Sequence, residues 1–240
     1  MLYTTDAIVL RRADYRDYDR MVTLFSPEHG RIDAIARGCR RPKSALVSAA
    51  EVFCAGQYTL NVSGDRQSIT QCEIKDSYYD LRFDYERLIH GMYYLSLADA
   101  AALPEQEAPE IFTLLLKALA HLCYSQLPAA LLTASFEMRY MPLMGYRPQM
   151  DRCVLCGAPV CGDARFDEER GGVVCAQCRS AAPKISNGAR RIMLRAPQTD
   201  YLAVPKLDGH PDWPEAARLY RPFVLRRIDR RIKSELPELP

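Results

Sequence analysis

The chain has 240 residues, 48% of them hydrophobic, so it is long enough for one large domain or two modest ones with real cores. A formal net charge of only +2 excludes a polybasic coat. No stretch approaches the ~18 apolar residues that span a bilayer, and no basic leader precedes a long apolar core at the N-terminus. Together with an odd count of cysteines, these features predict a soluble, cytoplasmic protein in a reducing compartment.

Short strand-like segments fill the first eighty residues. Gln57–Val62 alternates polar and apolar side chains, and Ser63-Gly64-Asp65 is a hairpin signal before its partner strand. Turn formers bound the other apolar runs, which are DAIVLRR, RMVTLFS and GRIDAIAR. Five strands with no room for long helices predict a small closed or nearly closed barrel over residues 1–80. Barrels of this size often bind single-stranded nucleic acid, although the fold alone does not establish it.

A cationic connection lies between two of these strands, in ARGCRRPKSAL at residues 36–46. It contains Arg37, Arg40, Arg41 and Lys43, and no acid occurs from residue 34 to residue 50. Uninterrupted like charge favours contact with phosphates over a merely solvated loop. Tyr15 and Tyr18 are candidates for stacking on bases, whereas the alternation around Tyr58 places that ring in the barrel core.

The acidic segment DYRDYD, residues 14–19, has two interpretations. Its three acids can form a metal site, or they can line a polar loop between the first two strands with Arg16 and Arg20 as ion-pair partners. The polar loop is the favoured prediction.

From about residue 80 the apolar spacing becomes helical and predicts a helical domain over residues 81–240. The first helix has an apolar stripe at Tyr85, Leu88, Ile89, Met92 and Leu95. A second begins at Pro109, with a stripe at Ile111, Leu114, Leu115, Ala118, Leu119 and Leu122. A third begins at Pro128 and ends or kinks at Pro142. Residues 200–214 are loop-like, and a last helix is predicted over Pro214–Ser234 with a kink at Pro222.

Four cysteines have the spacing of a metal site within residues 151–180. CVLC and CAQC form two C-x2-C pairs separated by eighteen residues, at Cys153, Cys156, Cys175 and Cys178. Two such knuckles predict one tetrahedral zinc ion, and a short hairpin between them returns the second pair to the first. Four thiolates leave no open coordination position, so the predicted zinc is structural. Cys161 is an alternative ligand, but a free small side chain is the favoured interpretation.

A second group of cations lies near the C-terminus, where residues 181–240 contain twelve Lys or Arg against seven Asp or Glu. Arg227, Arg230 and Arg231 are predicted DNA contacts, and Arg226 and Lys233 lie beside them. The wet face of an amphipathic helix is an equally good interpretation. The acid-free run from Lys184 to Arg195 extends the same predicted surface.

Motifs for catalysis are absent from the sequence. No phosphate-binding glycine loop, G-x-S-x-G, H-E-x-x-H or convincing D-x-D cluster occurs, and the four histidines are far apart. The sequence therefore predicts a binding protein and not an enzyme.

The order of these features resembles one family, RecO, the bacterial DNA-repair and recombination mediators. The resemblance runs through GRIDAIARGCRRPKSAL, MGYRPQMDRCVLCG, GGVVCAQC and RRIDRRIKS, and it covers essentially the whole chain. It implies an α+β protein with an N-terminal oligonucleotide-binding (OB) barrel, then a helical domain interrupted by the zinc-binding segment. Some family members lack the cysteines, so the zinc is expected to be a structural brace.

The resemblance also implies partners and an activity. Such proteins bind single- and double-stranded DNA and anneal complementary strands. With RecR they help load RecA onto strands coated by single-stranded DNA-binding protein, whose C-terminal tail is a further expected partner; the expected location is the nucleoid. The main competing hypothesis is a zinc-ribbon nucleic-acid adaptor in transcription or RNA metabolism, and a hydrolase with a structural zinc is a distant third.

Overall fold

The computed structural model describes residues 1–228. Within them the chain forms two compact units, Met1–Cys123 and the described residues from Tyr124 onward. No helix of residues 1–228 is long and apolar enough to cross a membrane.

A closed five-stranded barrel begins the first unit and confirms the predicted strands. Its strands are β1 (Leu2–Tyr15), β2 (Asp19–Ser26), β3 (Gly30–Ala36), β4 (Ala55–Ser63) and β5 (Arg66–Asp76). They close in the order β1-β2-β3-β5-β4, with β3 and β5 parallel and the other neighbours antiparallel. The exchange of β4 and β5 in this order requires a long connection from β3 to β4, and residues 37–54 provide it.

That connection is partly inside the barrel. Its apolar residues Cys39, Leu46 and Ala49 are at most 9% exposed and join the core cluster of the strands. Tyr58 is fully buried, as predicted, and its hydroxyl donates to the carbonyl oxygens of Ala49 at 2.8 Å and Cys54 at 3.2 Å. The connection is therefore anchored from within, while its four cations are exposed.

Two helices complete the first unit, α1 (Tyr85–Ala101) and α2 (Pro109–Tyr124, whose last residue is assigned to the second unit), after a 3-10 turn at Tyr79–Phe83. The predicted stripe of α2 is confirmed, because all six of its apolar residues are buried. The predicted stripe of α1 is wrong at Tyr85 and Met92, which are 79% and 37% exposed. The buried face of α1 instead includes His90, Gly91, Tyr93, Tyr94, Leu95, Leu97, Ala98 and Asp99.

A buried carboxylate explains part of the difference between the predicted stripe of α1 and its observed buried face. Asp99 of α1 is 8% exposed and forms ion pairs with Arg11 of β1 and, at 3.6 Å, with Arg31 of β3. A pattern of apolar residues cannot predict a buried face that contains an aspartate, because the residues that neutralise it belong to other elements.

The second unit contains three helices and a small sheet. The helices are α3 (Ala129–Leu143), α4 (Asn187–Arg195) and α5 (Trp213–Arg227), and the sheet has the order β7-β6-β8, formed by β6 (Ala164–Asp167), β7 (Gly172–Cys175) and β8 (Lys184–Ile185). The hairpin predicted between the cysteine pairs is β6–β7. Pro142 lies in the last turn of α3, as expected, and Pro222 is accommodated inside α5.

Three features of this unit differ from the predictions. Helix α4 was not predicted, and a 3-10 helix at Tyr201–Leu207 replaces part of the expected loop. Helix α5 ends at Arg227, followed by Ile228 in an extended conformation; the rest of the helix predicted over 214–234 lies outside the described residues.

A buried ion pair joins α3 and α5, with Arg221 donating to Glu137 at 2.5 Å and Glu137 fully buried.

Candidate nucleic-acid interface and metal centre

The basic loop, residues 37–43, presents its charges to solvent. Arg37, Arg40, Arg41 and Lys43 are all exposed, whereas Cys39 between them is 1% exposed and belongs to the barrel core. Gly38 allows this arrangement by adopting φ +62°, a conformation that a residue with a side chain rarely adopts. The alternation of one buried anchor with flanking exposed cations means that the loop has a defined position and is not a loose tail.

The hairpin tip, residues 15–19 between β1 and β2, holds the basic loop from outside. The backbone amide of Gly38 donates to the carboxylate of Asp19 at 2.7 Å, and the amide of Arg40 donates to the carbonyl of Tyr18 at 3.0 Å. An ion pair of 3.5 Å joins the Arg40 guanidinium to Asp14. The hairpin tip and the basic loop therefore form one surface.

Two of the three acids of residues 14–19, Asp14 and Asp19, are used within this surface, as the polar-loop interpretation predicts. Arg20 donates to Asp14 at 3.2 Å and also to Glu51 at 2.6 Å. The expected pairing of Arg16 is not what the structure gives, since its guanidinium lies 5.1 Å from the centre of the Tyr15 ring. Among the described residues, the side chains whose ligand atoms converge as a metal site requires are the four cysteines and not these acids.

Not all of the predicted cations are equally available. Arg40 shares its charge with Asp14, but Arg37, Arg41 and Lys43 have no acidic partner within residues 1–228. The Arg41 guanidinium lies 5.1 Å from the centre of the Tyr18 ring. The local sequence around Arg40 could not predict its contact with Asp14, because Asp14 lies twenty-six positions earlier.

The second candidate site is the cysteine cluster of the second unit. The four predicted ligand atoms, the Sγ atoms of Cys153, Cys156, Cys175 and Cys178, all lie within 4.8 Å of one another. The sulfurs of Cys156 and Cys175 are 3.8 Å apart. A tetrahedron with metal–sulfur bonds of ~2.3 Å has sulfur–sulfur edges of about 3.8 Å, so the cluster fits a single metal ion.

The backbone around the cluster explains how two distant pairs converge. Gly157 adopts φ +74° and donates its amide to the carbonyl of Cys153 at 2.8 Å, which closes the first knuckle. The amide of Val154 donates to the carbonyl of Val173 in β7 at 2.9 Å, and the amide of Cys175 points at the Cys153 sulfur at 3.4 Å. Strand β7 thus carries the second pair to the first.

The thiols of the cluster differ in acidity. Burial alone would raise the pKa of Cys153, but backbone amides, those of Cys175 and Cys156 among them, donate toward its sulfur and lower its pKa to about 6. Neighbouring sulfurs, that of Cys156 above all, raise the pKa of Cys178 to about 12. One thiolate is therefore stabilised by the fold, while the assembly of four thiolates requires a cation at its centre.

The other cysteines lie outside this cluster. Cys161 is exposed and is not among the converging ligands. Cys39 and Cys54 are buried in the barrel, and Cys72 and Cys123 are partly buried, as expected of ordinary thiols.

Arg227, the described member of the predicted C-terminal DNA contacts, is engaged within the protein. Its guanidinium lies 3.8 Å from the centre of the Phe223 ring and donates to the carbonyl oxygens of Glu168 at 2.7 Å and Glu169 at 3.3 Å. Burial lowers the pKa of Arg227. Arg226 beside it pairs with the Glu168 carboxylate at 3.1 Å. DNA contact by Arg227 stays a prediction, and it requires that these bonds be shared or exchanged.

The rest of the C-terminal group is only partly described. Arg230 and Arg231 lie outside the described residues. In α4, Arg190 donates to the carbonyl of Met150 at 2.9 Å, whereas Arg191 and Arg195 are exposed one helical turn apart.

The strand order β1-β2-β3-β5-β4 around a closed barrel places the first unit in the oligonucleotide-binding fold class. Comparison with known proteins agrees with this class. Residues 1–78 match the family profile described as Recombination protein O N terminal, and residues 82–236 match Recombination protein O C terminal. The two profiles meet where the sequence pattern changes from strands to helices.

Curated relatives extend the match over nearly the whole chain. The DNA repair protein RecO of Symbiobacterium thermophilum is 34% identical over 244 residues, covering 98% of this chain and 95% of the relative. The DNA repair protein RecO of Moorella thermoacetica is 28% identical over 239 residues, covering 97% and 89%. That of Acetivibrio thermocellus is 31% identical over 192 residues, covering 79% and 76%. The chain belongs to the RecO family of DNA repair proteins, which confirms the resemblance.

Proposed function

We propose that this protein is a recombination mediator whose barrel binds the sugar-phosphate backbone of DNA. It binds single- and double-stranded DNA, anneals complementary strands, and with RecR helps load RecA onto strands coated by single-stranded DNA-binding protein. Family membership as a DNA repair protein supports this function over a zinc-ribbon adaptor of transcription or RNA metabolism.

The observation that carries the proposal is the anchored basic loop. Arg37, Arg41 and Lys43 are exposed and, within residues 1–228, lack acidic partners, so their charges are available to a polyanion. Cys39 inside the barrel and the two hydrogen bonds that backbone amides of the loop donate to Asp19 and Tyr18 of the hairpin tip hold the loop in place. A cationic loop whose backbone is already fixed binds phosphates without the loss of conformational entropy that ordering a flexible loop would require.

The proposed metal is zinc, one ion per chain, with a structural role. Four cysteine sulfurs within 4.8 Å of one another are a donor set that zinc accepts readily, and together they would fill all four coordination positions. The residues that would hold it are Cys153, Cys156, Cys175 and Cys178. Because this ion has no open position for water, no hydrolytic role is assigned to it, and the proposed activity is binding without catalysis.

The proposed domain organisation follows the sequence and the family profiles. An OB barrel over residues 1–80 precedes a helical domain over residues 81–240, with residues 151–180 as the zinc segment. The change of profile between residues 78 and 82 supports this boundary. RecR and the tail of single-stranded DNA-binding protein are the proposed protein partners.

The test compares the wild type with the double variant Arg37→Ala/Lys43→Ala in titrations of a fluorescent single-stranded 30-mer. Neither residue has an acidic partner within residues 1–228, so the variant removes charge without breaking an ion pair. Affinity should fall similarly for all base sequences, because phosphate contacts carry no base information. The slope of log K against log salt should flatten by about 1.4, since each contact to a single strand contributes about 0.7. Annealing of complementary strands should slow in parallel.

The control is Lys75→Ala/Lys117→Ala, which removes two exposed cations of the same unit outside the basic loop and, unlike the test variant, also breaks the ion pair of Lys75 with Asp6. It should leave both the affinity and the salt slope unchanged. Equal slopes for the wild type and the Arg37/Lys43 variant would refute the proposed interface.

A further inference from the structure

Two tyrosine rings stand at the hairpin tip, which also contains Asp17 and Asp19 and is hydrogen-bonded to the basic loop. Tyr15 and Tyr18 are 37% and 51% exposed. Tyr15 is the last residue of β1, and Tyr18 lies in the turn of residues 16–18 that joins β1 to β2. By contrast Tyr58, also on the barrel, is fully buried in its core. Exposed flat rings beside a cationic loop are suited to a ligand that is both planar and anionic.

Each ring has an arginine over it. The guanidinium carbon of Arg16 lies 5.1 Å from the centre of the Tyr15 ring, and that of Arg41 lies 5.1 Å from the centre of the Tyr18 ring. These are cation–π distances, and such a contact favours one orientation of the ring. Because both rings remain exposed, a second planar group can still reach them.

The Tyr18 ring is also tied to the proposed phosphate contacts. The backbone carbonyl of Tyr18 accepts a hydrogen bond from the amide of Arg40, and the carboxylate of Asp19 beside it accepts one from the amide of Gly38. The Arg41 side chain that contacts the ring belongs to the same basic loop. A strand whose phosphates lie on the loop therefore passes the rings at short range.

We propose that Tyr15 and Tyr18 form a base-stacking subsite, which makes the surface select unpaired nucleobases over duplex DNA. The inference rests on the proposed DNA binding of the basic loop. In a duplex both faces of each base are covered by its neighbours, so the rings gain a partner only on an unpaired strand. Each ring that stacks should raise the affinity for single strands by about fivefold or more.

The experiment measures Tyr15→Leu/Tyr18→Leu and Tyr15→Phe/Tyr18→Phe in the full chain. Three probes are titrated at one salt concentration: a thymidine 30-mer, a 30-mer whose central nucleotides are abasic, and a 30-bp duplex. The Leu variant should bind the thymidine strand at least about 25-fold more weakly, with an unchanged salt slope, because phosphate contacts are retained. Its affinities for the abasic strand and the duplex should be unchanged, and the Phe variant should match the wild type.

Tyr79→Leu is the matched control, because this tyrosine of the same unit is 58% exposed, has the Arg82 guanidinium 5.4 Å from its ring centre and lies outside the hairpin tip and the basic loop. It should not alter any of the three affinities. If the Leu variant keeps the wild-type affinity for thymidine, or loses abasic and duplex binding equally, or is matched by the Phe variant, the stacking subsite is refuted. The proposed function still stands in those cases if Arg37→Ala/Lys43→Ala flattens the salt slope, and it fails separately if that variant does not.

Discussion

The hydroxyl of Tyr58 should stabilise the connection that carries the basic loop, and Tyr58→Phe removes it without changing the shape of the ring. In the wild type this hydroxyl donates to the carbonyl oxygens of Ala49 at 2.8 Å and Cys54 at 3.2 Å. Burial raises the pKa of Tyr58 far above its usual value, so the group remains a donor at any working pH. The substitution therefore deprives buried acceptors of their proton donor.

The expected cost comes mainly from one of these two carbonyls. The Cys54 oxygen also accepts the amide of Val9 at 2.9 Å, so it stays satisfied in the variant. The Ala49 oxygen loses the donor that Tyr58 supplies, in a position where Ala49 is 1% exposed. Leaving one buried acceptor unsatisfied costs about 1–3 kcal/mol of the free energy of unfolding. The unfolding temperature of the first unit should fall by roughly 4 °C for each kcal/mol.

Urea denaturation and hydrogen exchange test this expectation. The free energy of unfolding should fall by about 1–3 kcal/mol, and exchange should accelerate at the amide of Ala50, which donates to the Leu46 carbonyl inside the connection. Tyr18→Phe is the matched control, because it removes an exposed hydroxyl and should change stability by less than about 0.5 kcal/mol. If Tyr58→Phe is as stable as this control, the hydroxyl does not anchor the connection.

Two further predictions concern the second unit. Freshly purified reduced protein should contain one zinc per chain by elemental analysis, and Cys175→Ser should lose the metal and lower the unfolding temperature, because assembly of the site is coupled to folding; an absence of zinc from the wild type would overturn the assignment. Arg221→Met should cost about 3–5 kcal/mol in urea denaturation, since it removes one member of an ion pair whose other member, Glu137, is fully buried. Arg218→Met, an exposed arginine of the same helix, should cost less than about 0.5 kcal/mol, and equal effects of the two would refute the role of the ion pair.

Features that depend on local spacing could be predicted from the sequence. Alternation over Gln57–Val62 and the turn formers around it predicted the strands, because side chains of a strand alternate between its two faces. The two C-x2-C pairs predicted the cysteine cluster, since each pair brings two thiols together whatever surrounds it. The α2 stripe was also correct, because its buried face is apolar throughout.

The tertiary structure decided which charges are available and which faces are buried. The sequence pattern predicted free cations at Arg40 and Arg227. In the structure Arg40 pairs with Asp14, and Arg227 donates to the carbonyls of residues 168 and 169. The buried Asp99 gave α1 a different inner face from its apolar stripe. In each case the partner lies many positions away, and the strength of a charge or the cost of burying it depends on that partner. A local pattern contains no record of such distances, so only the folded chain determines them.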